Sequence, residues 1–359
     1  MKLKSLLSIL SLIILTVFFS GCPSSKTKYP YFEAYFPKKP VNISDVNSKF
    51  DDFNSILAET HFGRRLVFSS NRMTDSTDFN IYDGNFFVVW DWETGILSFQ
   101  NEYHYGYENF VAKLVLSINN QGNQFGPYSI STDTFIENHQ NHLCYLFYST
   151  NSGSEIYRSE FLYYQTPDDG ITGEVKGPFT IPFLGDVQQQ YISFFDPETL
   201  IINNWSVEVN NFTELYFDQT NGESSDLFKI TIPDTLNFLD FLTSEKDYEK
   251  VPVNTLNTNS DERCPFVNGP LMVFASNREG GFGGYDLYYS KFENGEWQAP
   301  VNFGEDINTP YDEFRPITVF ADQFKNDLMI FSSNRPGGMG GFDLYFVGID
   351  KITDPLPYQ

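Results

Sequence analysis

The sequence predicts an all-β protein that forms a single β-propeller of four-stranded blades. Two short phrases recur in the same order along the chain, at intervals typical of one blade. Apolar residues make up 41% and aromatic residues 18% of the 359 residues, which is enough large side chains for a packed core. Lys and Arg number 23 against 47 Asp and Glu, and this charge of −24 argues against nonspecific binding to nucleic acid.

The first element is an N-terminal secretion signal. Lys2 and Lys4 precede an apolar stretch at residues 6–19, which is shorter than the about 20 residues that cross a bilayer. Small residues before Cys22 resemble a bacterial lipoprotein signal, and this resemblance implies that Cys22 becomes the lipidated first residue. The alternative is an ordinary cysteine just past a signal cut. We therefore predict a signal peptide, a lipidated N-terminus with tether, and a propeller domain, at residues 1–21, 22–39 and 40–359.

The first recurring phrase is Pro-Val-Asn, followed by Asn-Thr or Asn-Ser and then by two acidic residues. It begins at Pro40, Pro252 and Pro300. The acidic pairs at residues 261–262 and 312–313 recur in phase with it. A catalytic pair is needed only once, so the recurrence favours a structural role for these carboxylates.

The second phrase is a strand-like run that ends in Asn-Arg, at residues 67–72, 273–278 and 330–335, with a tyrosine ten residues after each arginine. In the last two copies a Gly-rich loop lies between the arginine and the tyrosine. Its glycines allow positive φ in a long hairpin connection. Asp286 and Asp343 end these loops. They either accept hydrogen bonds from loop amides or pair with the nearby arginine, and a bound cation is the alternative. We assign a structural role in the repeat to Asn277, Arg278, Asp286, Asn334, Arg335 and Asp343.

The spacing of the units predicts five blades. Units begin at residues 40, 127, 178, 252 and 300, and six blades are the alternative if the long first unit hides a second one. The last unit lacks a Pro-Val-Asn strand, so we expect the strand at Pro40 to close the last blade. Two units are enlarged, at residues 96–110 and 233–250. Residues 235–248 have the pattern of one amphipathic helix, and the remainder is expected to be antiparallel strand and turn.

These motifs carry a family resemblance. The phrase Asn-Arg-x-Gly-Gly-x-Gly-Gly-x-Asp-Leu-Tyr, with the following Trp297, Pro-Val-Asn and Asp-Glu, resembles the WD40-like propeller repeats of TolB-type bacterial envelope proteins. The match is strong over residues 251–348 and moderate over residues 40–82. The resemblance implies a lone propeller on a lipid anchor, similar to outer-membrane lipoproteins that scaffold envelope complexes. It places the protein on the outer membrane, with the periplasmic face favoured over the cell surface.

Common catalytic and metal-binding signatures are absent from the sequence. No Gly-x-Ser-x-Gly elbow, phosphate-binding loop or His-Glu-x-x-His motif occurs. His139 and His142 have no cysteine or acidic partner at ligand spacing, so we predict no metal site and no cofactor. Cys144 and Cys264 belong to units that are far apart in a ring, and we expect two buried thiols instead of a disulfide.

Two function classes remain. The first is a binding or scaffold protein for envelope proteins or glycans, attached to the membrane through Cys22. In that case we expect the protein not to be an enzyme. The alternative is a glycoside-active enzyme with acids from different blades around a central pocket. Function is expected where the repeat is broken, so the candidate binding residues are aromatic residues in or near the 96–110 insertion. The alternative is that these residues only cover the edge of the first blade. They are Trp90, Trp92, Tyr103, Tyr105 and Tyr107. The oligomeric state is left open.

Overall fold

The computed structural model of the protein describes most of the predicted propeller domain. Its residues are 35–60, 63–72, 78–91, 96–101, 110–118, 122–136, 139–151, 156–166, 173–186, 190–196, 212–220, 222, 224–320 and 324–351. In this part of the chain, antiparallel strands form five separate sheets of at least four strands each. The prediction of an all-β, five-bladed propeller is confirmed, and the six-bladed alternative is wrong.

The strands follow the chain around the ring, so that each blade starts with its innermost strand. Blade 5 is the exception, because it combines three strands from the C-terminal region with β1 from the N-terminal region. The strands are β1 (Val41–Asn42); β2 (Asp52–Thr60), β3 (Gly63–Ser70), β4 (Asn80–Asp91) and β5 (Ile96–Asn101) in blade 1; β6 (Asn123–Ile136), β7 (His139–Asn151), β8 (Arg158–Thr166) and β9 (Glu174–Thr180) in blade 2; β10 (Ile192–Phe195), β11 (Glu214–Thr220), β12 (Ser225–Thr231) and β13 (Val251–Pro252) in blade 3; β14 (Glu262–Asn268), β15 (Leu271–Ser276), β16 (Asp286–Glu293), β17 (Glu296–Trp297) and β18 (Val301–Asn302) in blade 4; and β19 (Glu313–Val319), β20 (Asn326–Ser333) and β21 (Asp343–Asp350) in blade 5.

The N-terminal strand closes the ring, as predicted. β1 pairs antiparallel with β21, with Val41 opposite Phe346 and Asn42 opposite Tyr345. Just beyond β1, the side chain of Asn47 accepts a hydrogen bond from the Leu344 amide and donates one to the Leu344 carbonyl, at 2.9 Å each. The two ends of the described chain are therefore held in one sheet.

The outermost strands explain the Pro-Val-Asn phrase. The copy that begins at Pro252 overlaps β13, the outer strand of blade 3. The copy that begins at Pro300 continues directly into β18, the outer strand of blade 4. The predicted unit start at Pro127 is wrong, because Pro127 lies in β6, the innermost strand of blade 2. The outer strand of blade 1 is β5, which occupies the first part of the predicted 96–110 insertion.

Two helices interrupt the strands of the described chain. Helix α2 (Phe238–Leu242) lies within the predicted helical segment at residues 235–248. Helix α1 (Phe110–Ile118) was not predicted, and the expectation of strand and turn there is wrong. Its buried residues recur at intervals of one, three and four, which is the helical pattern, and they are Phe110, Val111, Leu114, Val115 and Ile118.

The Asn-Arg phrase joins the inner strands of its own blade. The Arg278 guanidinium donates to the buried carboxylate of Glu262 at 3.0 Å, and it lies between the rings of Phe274 and Tyr288. Arg335 has the same relation to Glu313 at 3.0 Å. The arginine of the repeat thus pairs with the acidic residue that begins the inner strand, and not with the aspartate of the Gly-rich loop.

The Gly-rich loops are held by their own aspartates. Asp286 accepts hydrogen bonds from the amides of Phe282 at 2.7 Å and Gly283 at 3.1 Å, and from the side chain of Asn302 at 2.9 Å. A Cβ atom at Gly281 would lie 2.5 Å from the Asp286 carboxylate, which explains why glycine stands there. Asp343 accepts from the Met339 and Gly340 amides in the same way.

Buried side chains between the sheets form the core. Cys144 and Cys264 are both buried and neither forms a disulfide, as predicted. Among the described residues no helix is long and apolar enough to cross a bilayer.

Candidate functional site

The inner strands share a backbone irregularity near their starts. Because the blades repeat around the ring, these strands begin at the same end of the propeller axis. In four of the five inner strands the pairing register shifts after the second or third residue, which is the mark of a β-bulge. One residue in each bulge has positive φ, a conformation that is uncommon outside glycine: Asn54 (59°), Gly126 (60°), Cys264 (56°) and Arg315 (49°).

What we call the outer axial ring consists of the four residues just before the bulges and of Tyr191, which directly precedes β10. One side chain from each blade belongs to it: Phe53, Phe125, Tyr191, Arg263 and Phe314. The rings of Phe53 and Phe125 are 5.8 Å apart, and those of Tyr191 and Phe314 are 5.9 Å apart. The Arg263 guanidinium lies 5.7 Å from the Tyr191 ring and 5.9 Å from the Phe314 ring. Phe53, Arg263 and Phe314 are half-buried, so this end of the axis presents a mainly aromatic surface with one cation.

Asp218 breaks the repeat beside the outer axial ring. On the second strand of the other four blades the equivalent position holds serine or alanine, namely Ser69, Ser149, Ala275 and Ser332. In blade 3 that position is Asp218, whose amide donates to the Tyr191 carbonyl. A carboxyl group therefore replaces a small side chain in one blade only among those described.

The carboxylate of Asp218 is buried and fully engaged. It accepts hydrogen bonds from the Tyr191 amide at 2.6 Å, the Cys264 amide at 3.2 Å and the Arg263 side chain at 3.2 Å. Burial raises the pKa of Asp218 above its ordinary value, while Arg263 and the two amides oppose that rise. Asp218 thus links blade 3 to blade 4 and is a carboxyl group whose charge the surroundings disfavour.

The four positive-φ residues and Ile192 of blade 3 form a second level, the inner axial ring. It contains Asn54, Gly126, Ile192, Cys264 and Arg315, one residue from each blade. Arg315 extends from blade 5 to the opposite side of the axis, where it donates to the Pro127 carbonyl at 3.3 Å. Its guanidinium lies 5.3 Å from the Tyr191 ring. A Cβ atom at Gly126 would lie 2.7 Å from that ring, so glycine makes room for the packing of Tyr191.

The five predicted aromatic binding residues, which we call the aromatic platform, lie largely outside the described part of the chain. Trp90 lies in β4, and nothing is described of its side chain. Trp92, Tyr103, Tyr105 and Tyr107 lie outside the described residues, as does Cys22. The platform and the lipid anchor therefore stay predictions. The repeat residues lie in blades 4 and 5, and the contacts of their arginines and aspartates are given above. Asn277 accepts a hydrogen bond from the Asp261 amide at 2.7 Å, and Asn334 accepts one from the Asp312 amide at 2.8 Å.

Sequence reasoning missed the two axial rings. The signal was present within the recurring phrase: after the shared Asp-Glu, one copy reads Arg263-Cys264 and the next reads Phe314-Arg315, before a proline in each. These variable positions face the axis, whereas the shared residues build the frame. Asp218 has no such signal, because its unit lacks the recurring phrases.

Comparison with known proteins gives structural matches only. No family model and no curated protein matches the sequence, so the resemblance to TolB-type repeats stays a prediction. One matched solved structure is titled glycoside hydrolase, with 9% identity and a TM-score of 0.46 over 94% of this chain and 100% of that one. Another is an α-L-arabinofuranosidase from Lactobacillus brevis, with 9% identity and a TM-score of 0.40 over 89% of this chain and 99% of that one. A third is titled for GH130 glycoside hydrolases that target β-1,2-mannosidic linkages in Candida mannan, with 10% identity and a TM-score of 0.43 over 94% of this chain and 99% of that one.

These matches correct one expectation. The sequence analysis expected the chain not to be an enzyme, and the glycoside hydrolase titles of the matched structures contradict that expectation. At such low identities the likeness is one of fold, and it assigns no substrate or catalytic residue to this chain.

Proposed function

We propose that this protein is a glycoside-active propeller, the alternative named in the sequence analysis, and that its ligand binds at the outer axial ring. The observation that carries the proposal is Asp218, a buried carboxyl group that occurs at its position in one described blade only and that borders an aromatic surface. The general acid of a glycosidase needs a pKa above the ordinary carboxyl value, and burial moves the pKa of Asp218 in that direction.

The outer axial ring suits a sugar ligand. Phe53 and Phe314 present half-buried aromatic rings at one end of the axis, with Phe125 and Tyr191 buried against them. Aromatic faces pack well against the C–H surface of a sugar ring. Arg263 adds N–H donors at the same level, and the hydroxyl groups of a sugar are acceptors for them. Apolar faces and one fixed polar group are the usual composition of a small-molecule site.

In the proposed reaction Asp218 acts as the acid. Asp218 is 0% exposed in the structure, so the reaction requires this side chain to reach the glycan as the ligand binds. It then donates its proton to the oxygen of the bond that breaks, the leaving sugar departs as an alcohol, and water adds to the anomeric carbon in its place. Arg263 acts as a positioning residue, because its bond to the Asp218 carboxylate fixes that side chain and stabilises the charge left after proton transfer. A second carboxyl group about 5 to 9.5 Å away is required by the reaction, and Asp218 is the one that the described residues contribute to this level.

The test is hydrolysis of a panel of aryl glycosides and plant or microbial polysaccharides by the purified protein, with reducing ends as the readout. Asp218→Asn is expected to reduce cleavage by about 10²- to 10⁴-fold, the usual contribution of a general acid. The matched control is Asp327→Asn, which neutralises another buried carboxylate, paired with Lys351 at 2.9 Å in blade 5, away from the axial rings.

The outcomes separate cleanly. Cleavage that Asp218→Asn abolishes and Asp327→Asn leaves intact supports the proposal. Cleavage that survives in Asp218→Asn removes Asp218 from the reaction. Failure of every glycan to be cleaved or to bind, with the protein folded by circular dichroism, overturns the proposed function.

A further inference from the structure

Arg315 differs from five other arginines of the blades in its charge partner. Those five are buried or half-buried and each contacts a carboxylate, in the pairs Arg65–Asp83, Arg72–Asp52, Arg263–Asp218, Arg278–Glu262 and Arg335–Glu313. In the described part of the chain no carboxylate lies within ion-pair distance of Arg315. Its one acceptor is the Pro127 carbonyl, and its Nε and Nη1 groups have no hydrogen-bond partner.

Burial makes this arrangement costly. Arg315 is 0% exposed, and an isolated charge inside a protein loses its hydration without compensation. Burial lowers the pKa of Arg315, but a guanidinium is so strong a base that it keeps its proton near neutral pH. The positive charge therefore calls for a negative partner.

The neighbouring groups do not supply that partner. Asp218 already accepts from Arg263 and from two amides. Even when Asp218 is ionised, two guanidinium groups share one carboxylate, so at least one net positive charge remains. Burial raises the pKa of Cys264, Tyr191 and Tyr128, which keeps these three groups neutral near pH 7. The balance at the axis is positive even though the whole chain is acidic.

Asn54 adds a donor at the same level. It is 0% exposed, and neither atom of its side-chain amide has a partner. Its backbone amide donates to Ser332 Oγ at 3.0 Å, and Ser332 is paired with Phe314, the residue that precedes Arg315. The unsatisfied amide of blade 1 thus adjoins the strand that carries the unsatisfied guanidinium.

We infer that the inner axial ring holds a small inorganic anion of the size of chloride, bound by Arg315 Nε and Nη1 with the Asn54 amide as a further donor. An anion satisfies several N–H donors at once and balances the remaining positive charge. Because Arg315, Asn54 and Cys264 have no exposed surface, the site suits an ion and excludes a sugar. It therefore lies below the proposed glycan site and is independent of it.

The direct test is X-ray diffraction from crystals of the protein that are grown or soaked in bromide. An anomalous peak next to Arg315 supports the site. Well-ordered density there that refines as water, with no anomalous signal, overturns it.

The solution test is thermal unfolding in chloride and in gluconate at equal ionic strength. A bound chloride stabilises the folded state, so the wild-type melting temperature is expected to be higher in chloride by about 2 °C or more. Asn54→Asp supplies a carboxylate inside the ring, in a positive-φ conformation that aspartate tolerates. This variant is expected to melt at the same temperature in both salts.

Arg315→Met is the complementary variant, because it removes the charge and keeps much of the side-chain volume. It is expected to lose the difference between the salts. Should it fail to fold, the wild type and Asn54→Asp decide the matter. Equal melting of the wild type in both salts, or a chloride effect that persists in Asn54→Asp, contradicts the inference.

Discussion

Two buried acids of this propeller have different surroundings. Glu262 accepts from Arg278, from Ser276 and from the backbone and side chain of Thr258, within a motif that recurs in blade 5. Asp218 accepts from one arginine and two amides, in an arrangement that the described blades do not repeat. The recurring acid belongs to the frame, and the single acid is the candidate for chemistry.

Asp218 is expected to make stability depend on pH. Because burial raises its pKa above the ordinary value of 3.8, the folded state binds a proton more tightly than the unfolded state does. The contribution of this group to stability is therefore complete below about pH 4 and is lost as the pH rises through the raised pKa. In the Asp218→Asn variant this pH-dependent loss of stability does not occur, because the side chain no longer titrates.

The measurement is the free energy of unfolding by urea at intervals from pH 4 to 7. The curve of Asp218→Asn is expected to be flatter than that of the wild type over this range. Asp327→Asn, which removes a buried carboxylate paired with Lys351 away from the axial rings, serves again as the control. Parallel curves for the wild type and Asp218→Asn would show that Asp218 does not titrate differently on folding.

At the scale of elements, one side-chain motif fastens an outer segment to the third strand of its blade. Asn47, Asn257 and Asn308 each exchange two hydrogen bonds with a leucine backbone, at 2.8 to 3.0 Å. Asn257 and its partner Leu227 are close in sequence, whereas Asn47 reaches Leu344 from the other end of the chain. The same bonds thus join neighbouring segments in blade 3 and close the ring in blade 5.

Asn47→Ala is therefore expected to loosen the closure of the ring. It removes both bonds and leaves the Leu344 amide unsatisfied, at a cost of about 1 to 3 kcal/mol. Hydrogen exchange should accelerate in β1 and β21. Asn257→Ala is the matched control, because it removes the same bonds and should accelerate exchange in β12 and β13 instead. Equal exchange of β21 in both variants would mean that Asn47 has no special part in closure.

At the scale of the whole molecule, ring closure makes stability depend on the N-terminal region. Deleting residues 23–50 removes β1 and Asn47, and it exposes the backbone groups of β21 that β1 pairs with. We expect a large fall in melting temperature and loss of a single cooperative transition. Deleting residues 24–28 alone should leave the melting curve unchanged. A 23–50 deletion that melts like the parent would refute the structural role of closure.

Membrane attachment is a second prediction for the whole molecule. If Cys22 is lipidated, the protein made in a bacterial host should enter the detergent phase in Triton X-114 partitioning, because acyl chains contribute about 0.8 kcal/mol per buried methylene group. Cys22→Ser should move it to the aqueous phase. The Cys264→Ser variant, which removes a buried thiol of the propeller, should partition like the parent. Unchanged partitioning of Cys22→Ser would contradict lipidation.

Repetition in the sequence determined the architecture of this protein. The recurring phrases predict blades, strand order and the closure of blade 5 by Pro40 and its neighbours, because each phrase encodes a local contact that forms the same way in every blade. Where the phrases are absent, between β4 and β13, prediction failed in detail. Pro127 was assigned to the wrong strand, and helix α1 was missed.

Only the tertiary structure decided the axial site. Asp218, Arg263 and Arg315 come from three blades and are separated by up to about a hundred residues, so no local pattern relates them. Bulges at equivalent positions turn Arg263 and Arg315 toward the axis, and Asp218 lies beside Arg263 on the second strand of blade 3. Burial raises the pKa of Asp218, and Arg315 has no carboxylate partner among the described residues. A repeated contact can be recognised in sequence because it is local, whereas the charge balance of an axis exists only once five blades have closed around it.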